Sequence, residues 1–408
     1  MKTPNFVPQF TLEINGDQVP SAFRACVTSV RLQTGMKGAD RLEFGVFNEN
    51  LRWLDHDLVK PGNPVAFRIG YAPDQLPMMF YGKLVSVQAS FPSSGTPSLQ
   101  LAAQDALSDM QNGKQTRWFA KDIARTGNAP VPPRDVARSV LDEYGLQARF
   151  DEQEGVFSQV VGEMMSFLSG RISDINPTQS QQGVEQQVKS TDFELLQKIA
   201  KDLGYDMFLD HSGPRPGVVL FFGPWRNMSP ALELHYGRSL QEFSPKESDI
   251  GQSTEVTANV WSSDEKTTVN VTLKWSWEQN TFHLSLAPGK AEAGKQGKSL
   301  IIDEPLTLLT APARLVSELM PKLNSRLTAT GSIVGNPAVR TGAVLKITGV
   351  GERFGGYYRV TDCTHSLDGS GYRTQFEVRK EVWFLIPKSV QGKAKVQLPS
   401  ALGKALGR

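Results

Sequence analysis

Cysteine is nearly absent from this chain of 408 residues, which carries only Cys26 and Cys363. Two thiols cannot build a disulfide framework and suit a reducing compartment. No apolar run approaches the ~18 residues of a membrane-spanning helix, so no membrane anchor is expected. The first residues, MKTPNFVPQFTLEINGDQ, lack the basic, apolar and small-residue succession of a secretory signal. Charge of one sign is missing too. Lys and Arg number 44 against 42 Asp and Glu, which leaves no global field to hold a nucleic acid.

Catalytic equipment is equally scarce. His56, His211, His235, His283 and His365 stand apart from one another, with no second histidine at helical or strand spacing. There is no HExxH, CxxC, phosphate-binding loop, GxGxxG after a strand, or GxSxG elbow. The sequence therefore assigns no catalytic residue, no metal site and no cofactor. Cys363 lies in a predicted strand without an adjacent base and reads as an inert buried thiol. The carboxylate pairs Asp264–Glu265 and Asp303–Glu304 sit in turns and read as solvated charge. Trp275 and Trp277 alternate into a core, whereas Trp225 and Trp261 leave a glycan-binding module as an alternative, with a cell-wall hydrolase beside it.

What the sequence has is strands. Tyr372, Thr374, Phe376 and Val378 alternate with Arg373, Gln375, Glu377 and Arg379, the pattern of a half-buried strand. Asp368-Gly-Ser-Gly371 ahead of it is a hairpin turn. Gly342 and Gly355-Gly356 punctuate two earlier strands, Ala343–Thr348 and Tyr357–Thr364. A similar rhythm occurs far upstream. Gly62 opens an alternating strand through Tyr71, Phe80-Tyr-Gly82 opens the next, and a Ser/Gly turn leads to Ser98–Leu101. The step from Gly82 to Gly95 equals that from Gly356 to Gly369. This spacing reads as a degenerate duplication of one β-module, with two unrelated sheets as the other reading.

Five regions are expected: a first β-barrel domain at 1–110, a helical and linker insert at 111–190, an α+β insert at 191–300, a second β-barrel at 301–385 and a basic tail at 386–408. The fold class is mainly β with α+β inserts, two related antiparallel barrels flanking the middle region. Pro132-Pro133 and Gly145 bracket a helix over Arg134–Tyr144. Thr191-Asp-Phe-Glu194 is a capping box that starts another, which Gly204 stops. Ala311–Leu327 reads helical with a kink or break at Pro321. The Gln-rich stretch 177–189 has no assigned role. The tail carries five basic and no acidic residues and reads as a solvated end.

The phrases Gly335-Asn-Pro-x-x-Arg340-x-Gly342, Phe354-Gly-Gly-Tyr-Tyr358-Arg-Val360, His365 and Gly371-Tyr-Arg-Thr-x-Phe376, taken in order, resemble the phage late control protein D family. These are central baseplate hub proteins of contractile tails, related to the N-terminal part of type VI secretion valine-glycine repeat proteins. Asp40-Arg-Leu-Glu43, Pro61-Gly62, Gly70-Tyr71 and Phe80-Tyr-Gly82 resemble the family's first barrel. Thr191 through Gly204-Tyr205 resembles its middle insert. The resemblance implies a homotrimer whose six related barrels match a sixfold tail tube above and a threefold spike below. It implies a structural, non-enzymatic hub that lines the channel of a phage tail or tail-like injection system. The implied partners are the tube protein, a separate spike protein and baseplate wedge or sheath-initiating proteins. The particle would assemble in the bacterial cytoplasm. Structural or interface candidates are Gly62, Tyr71, Gly82, Gly342, Gly356, Tyr358, His365, Tyr372 and Phe376.

Overall fold

The alternation at the C-terminal meander is realised as a strand with unlike faces: Tyr372, Thr374, Phe376 and Val378 are buried, while Arg373, Gln375 and Glu377 are exposed. The computed structural model describes residues 7–121, 129–150, 161–162, 164–166, 185–212, 217–222, 229–248, 254–262, 267–291, 299–306, 310–385 and 396–397. Trp225, Asp264–Glu265, the 177–184 part of the Gln-rich stretch and nearly all of the basic tail lie outside the described residues.

The first part of the chain forms β1 (Val7–Ile14), β2 (Asp17–Gln18), helix α1 (Ser21–Cys26), β3 (Val27–Gly35), β4 (Arg41–Phe47), β5 (Pro64–Ala72), β6 (Met78–Ser90) and β7 (Ser98–Gln104). The middle holds β8 (Gln115–Lys121), β9 (Ala129–Pro130), α2 (Pro133–Glu143), β10 (Gln147–Phe150), β11 (Glu185–Ser190), α3 (Asp192–Asp202), β12 (Asp206–Asp210) and β13 (Val218–Phe222). Next come β14 (Leu232–His235), β15 (Glu242–Glu247), β16 (Glu255–Ser262), β17 (Thr267–Ser276), β18 (Thr281–Pro288), β19 (Ser299–Leu306) and α4 (Ala311–Asn324). Then follow β20 (Leu327–Val334), β21 (Val344–Thr348), β22 (Gly356–Asp368) and β23 (Gly371–Arg379).

Most strands pair antiparallel, and thirteen of them share one sheet. Within it the order β1-β5-β6-β7-β4-β3 is followed across the sheet by β14-β21-β22-β23-β20-β15. Numbered by chain position within each set, both orders are first-fourth-fifth-sixth-third-second. The local details repeat as well. The pairing of β6 with β7 shifts register between Leu84 and Ser86, and that of β22 with β23 shifts between Val360 and Asp362. Gly62 N–H donates to the Leu84 carbonyl as Gly342 N–H donates to that of Val360. Both glycines have φ in the left-handed region, +94 and +82, where a Cβ is strained. Matched on this register, Gly62 corresponds to Gly342. Gly82 corresponds to Tyr358, two positions from the Gly356 that sequence spacing suggests. The sets differ in one pairing: β1 runs antiparallel to β5, but β14 runs parallel to β21.

Neither set closes into a barrel among the described residues. β3 already uses one edge on β4 and the other on β22, so it has none left to meet β1. The expected closed barrels are instead two open six-strand units fused edge to edge. β14 and β15, which the sequence reading grouped with the middle insert, hydrogen-bond to β21 and β20.

Each unit has its own core. Leu12, Phe23, Leu32, Phe44, Phe67, Phe80 and Leu101 fill the first, and Leu345, Ile347, Tyr358, Val360 and Phe376 the second. Between them in sequence, α2 and α3 pack with β10, β12 and β13. The capping box of α3 is formed on both sides: Thr191 Oγ1 accepts from Glu194 N–H at 3.1 Å, and Glu194 Oε2 accepts from Thr191 N–H at 2.8 Å. A five-stranded sheet built on β16–β19 packs against α4, with Trp275 buried and Trp277 partly so. α4 continues through Pro321 and ends at Asn324, because Leu327 already belongs to β20.

Candidate functional site

The seam between the two units is where the sequence candidates converge. β22 pairs with β3 from Asp362 opposite Gly35 to Leu367 opposite Val30. Under this ladder lies His365, 1% exposed. Its Nε2–H donates to the Val339 carbonyl at 2.9 Å, leaving the one lone pair of Nδ1 to accept from a hydroxyl, with Tyr372 Oη at 2.8 Å and Thr374 Oγ1 at 3.0 Å. The ring is thus held neutral, and burial pushes its pKa down to about 4. Tyr372 belongs to the second unit by sequence yet packs in the first unit's core. Its ring stands 5.7 Å from that of Tyr71. Tyr71 Oη donates across the seam to the Gly335 carbonyl at 2.8 Å.

Tyr71, His365 and Tyr372 therefore meet, whereas the other candidates do not join them. Gly62 and Gly342 shape equivalent turns. Gly82 lies against the Gln104 backbone, where a Cβ would come within 2.1 Å of the carbonyl oxygen. Gly356 has a positive φ beside Lys380. Phe376 fills the second core over Gly331. Tyr358 is wholly buried there, edge-on to Phe243, with its hydroxyl donating to the Phe354 carbonyl at 2.6 Å. Its buried position makes it a core residue rather than a surface contact. Gly335 was not singled out, yet an added Cβ would fall 2.1 Å from the Tyr372 ring. Its place in the Gly-Asn-Pro phrase was the signal.

Cys363, also in the seam, is buried, and burial pushes its thiol up to about 12. A thiol held that high is not a nucleophile at neutral pH.

Two buried polar clusters escaped the sequence reading, because their members are far apart in the chain. In the first, Asp40, Asp105 and His211 gather where the first unit meets the β12–β13 turn. Their composition and spacing suggest a cation. The hydrogen bonds oppose one. His211 Nδ1 accepts the Tyr81 N–H at 3.1 Å, so the proton of the neutral ring sits on Nε2 and donates to Asp40 Oδ2 at 2.8 Å. Metal ligation through Nε2 would move that proton to Nδ1, against the Tyr81 N–H. The remaining carboxylate oxygens accept backbone N–H groups of Gly35, Asp40 and Leu107. The cluster is a structural node tying β3, β4 and β7 to the middle region.

Burial, then the neighbouring Asp40 carboxylate, pushes the Asp105 pKa up to about 7 from 3.8. A raised folded-state pKa means stability that is full below 3.8 and lost as pH rises through about 7. Asp105→Asn removes this titration. The stability advantage of wild type over that variant should therefore shrink between pH 4 and 7 in urea unfolding; a pH-independent gap would contradict the assignment.

The second cluster anchors the end of the meander. Arg359 and Glu381, both fully buried, pair at 3.1 Å, and Arg359 Nη1 also donates to the Gly342 carbonyl. Arg379 bridges Glu381 to Asp206 of β12.

Residues 158–369 match the model of the family described as the Alg8 N-terminal domain. No curated protein matches the chain by sequence. Among solved structures it is similar to the 43 kDa tail protein of prophage MuSo2 from Shewanella oneidensis, at 13% identity and a TM-score of 0.59, covering 91% of this chain and 98% of that one. A tail protein from Neisseria meningitidis MC58 is similar at 12% identity and a TM-score of 0.58, covering 91% and 96%. The E. coli c3393 protein, a type VI secretion component described as similar to bacteriophage T4 tail proteins gp27 and gp5, matches at 10% identity and 0.53, covering 90% and 76%. The fold is that of phage-tail proteins, mostly antiparallel β-sheet with few helices. Among the described residues no helix is long and apolar enough to cross a membrane.

Proposed function

We propose that this chain, which belongs to the Alg8 N-terminal domain family, is the homotrimeric hub of a contractile phage tail or tail-like injection system. Three copies present six related units in a ring, adapting a sixfold tube to a threefold spike and lining the channel between them. It works in the particle's baseplate by position and contact, with no turnover.

The observation that carries this reading is the repeated strand order with one seam satisfied and its counterpart open. Inside the chain, the second strand of the first unit (β3) pairs with the fifth strand of the second (β22). The equivalent pair is β15 with the distal half of β6. Among the described residues no strand covers the outer edge of β15, and β6 beyond Leu84 pairs only with β7. Pro245 in β15 has no N–H, so a ladder built on this outer edge would lack one hydrogen bond at that position. In a ring, β15 of one copy would take β6 of the next, a heterologous contact that closes at three copies. Transferring the seam's register places Phe243 opposite Phe91, Pro245 opposite Ala89 and Lys246 opposite Gln88 of the neighbouring copy. Phe91 is 59% exposed in the single chain, and this contact would cover it.

The measurement is mass in solution by light scattering, across a concentration series. A trimer is the expected result. A monomer at every concentration, also failing to assemble with tube and spike proteins, would sink the proposal.

A further inference from the structure

Phe47 and Val334 are exposed large apolar side chains on a face that is otherwise mostly polar at its strand positions. The strands β6, β7, β4, β3, β22, β23, β20 and β15 turn one face to the two cores. The opposite face presents Ser86, Gln88, Gln100, Glu43, Arg31, Gln33, Thr364, Gln375, Thr330 and Ser244, by the alternation of each strand. Phe47 and Val334 share that polar face and are 52% and 51% exposed. They are also equivalent. Phe47 closes the third strand of the first unit opposite Ser98, and Val334 closes the third strand of the second opposite Arg373. The next residue repeats the match: Asn48 N–H donates to the Pro97 carbonyl as Gly335 N–H donates to that of Tyr372.

The two ends of this sheet differ. The chain leaves for the middle region after Gln104 and leaves again for the β16–β19 sheet and α4 after Glu247, returning at Leu327. Gln104 lies opposite Arg41, and Glu247 opposite Leu327, at the end away from Phe47 and Val334. At that far end one unit carries an insertion after its sixth strand and the other between its second and third. A partner with six identical subunits would meet two different surfaces there. At the Phe47 and Val334 end the two third strands finish with the same kind of side chain and the same hydrogen bond.

We infer that the Phe47/Val334 end of the sheet is the docking face for a sixfold ring of identical subunits, each offering an apolar contact to one of these side chains. The inference rests on the trimeric hub reading. Three chains then display alternating Phe and Val at six like positions around an otherwise polar rim. The insertion-bearing end is left to partners of threefold symmetry.

The test uses the full chain and rings of the tail-tube protein from the same particle. Phe47→Asp with Val334→Asp should leave the trimer mass unchanged and weaken ring capture about 100-fold. The milder pair Phe47→Gln and Val334→Gln should weaken it less. Trp261→Asp removes an equally exposed apolar side chain (60% exposed) from the inserted sheet and should bind rings as wild type does. Full ring capture by the double aspartate variant would overturn the inference. So would loss of capture with Trp261→Asp alone, or a double glutamine variant that no longer forms trimers. A wild-type chain that neither trimerises nor captures rings would instead defeat the hub reading itself.

Discussion

Replacing Glu381 by alanine should lower the free energy of unfolding by about 3–5 kcal/mol, measured in urea at neutral pH. Glu381 and Arg359 are both fully buried. The alanine variant leaves the Arg359 guanidinium under the same protein cover, with the Gly342 carbonyl still in reach but without its carboxylate. Arg379 loses one of two acidic neighbours and keeps Asp206. The loss should also loosen β12 from the meander, because Arg379 is the link between Asp206 and Glu381. The double change Arg359→Met with Glu381→Leu tests the cause. It removes both charges together, and stability should recover most of the loss. A single variant as stable as wild type would show that solvent reaches this pair.

The second large effect concerns the open seam. With Lys246→Cys and Gln88→Cys in a Cys26→Ser background, mild oxidation should convert the protein to covalent trimers on a denaturing gel. The positions derive from Gln33 opposite Thr364 in the closed seam. These two lie between the hydrogen-bonded pairs of that ladder, where facing Cα atoms are about 4.5 Å apart, close enough for a disulfide. Moving one partner by a residue, to Val87→Cys, should abolish the cross-link by turning the thiol to the other face. Cross-linking that is indifferent to this shift would argue against the register, and none at all against the contact.

How much of this could be read in the sequence depended on whether the signal was local. The period-two pattern of Tyr372–Arg379, the Gly62 and Gly342 turns and the Thr191 capping box are each set by neighbouring residues, and each was visible. The match of Gly82 to Gly356 was off by two, because the repeat is aligned by a bulge at Val85 and Thr361 that leaves no compositional trace. The grouping of β14 and β15 with the second unit was illegible for another reason. Their partners, β21 and β20, lie some eighty or more residues downstream. The seam network was half legible: Tyr71, His365 and Tyr372 stood among the structural candidates, but nothing near Tyr71 announced its bond to Gly335. The Asp40–Asp105–His211 node and the Arg359–Glu381 pair unite residues from separate elements, beyond the reach of spacing rules.

The sheet that runs unbroken from one unit into the other has a further consequence. An edge that seeks a copy of something elsewhere on the same molecule adds subunits in one direction only. Such growth stops only if the turn from one copy to the next divides the circle evenly. The pitch of that turn is set where β3 meets β22, beside the Gly35–Asp40 loop. In the proposed trimer, a small change of twist there would leave each unit intact yet turn a self-limiting ring into an endless fibre.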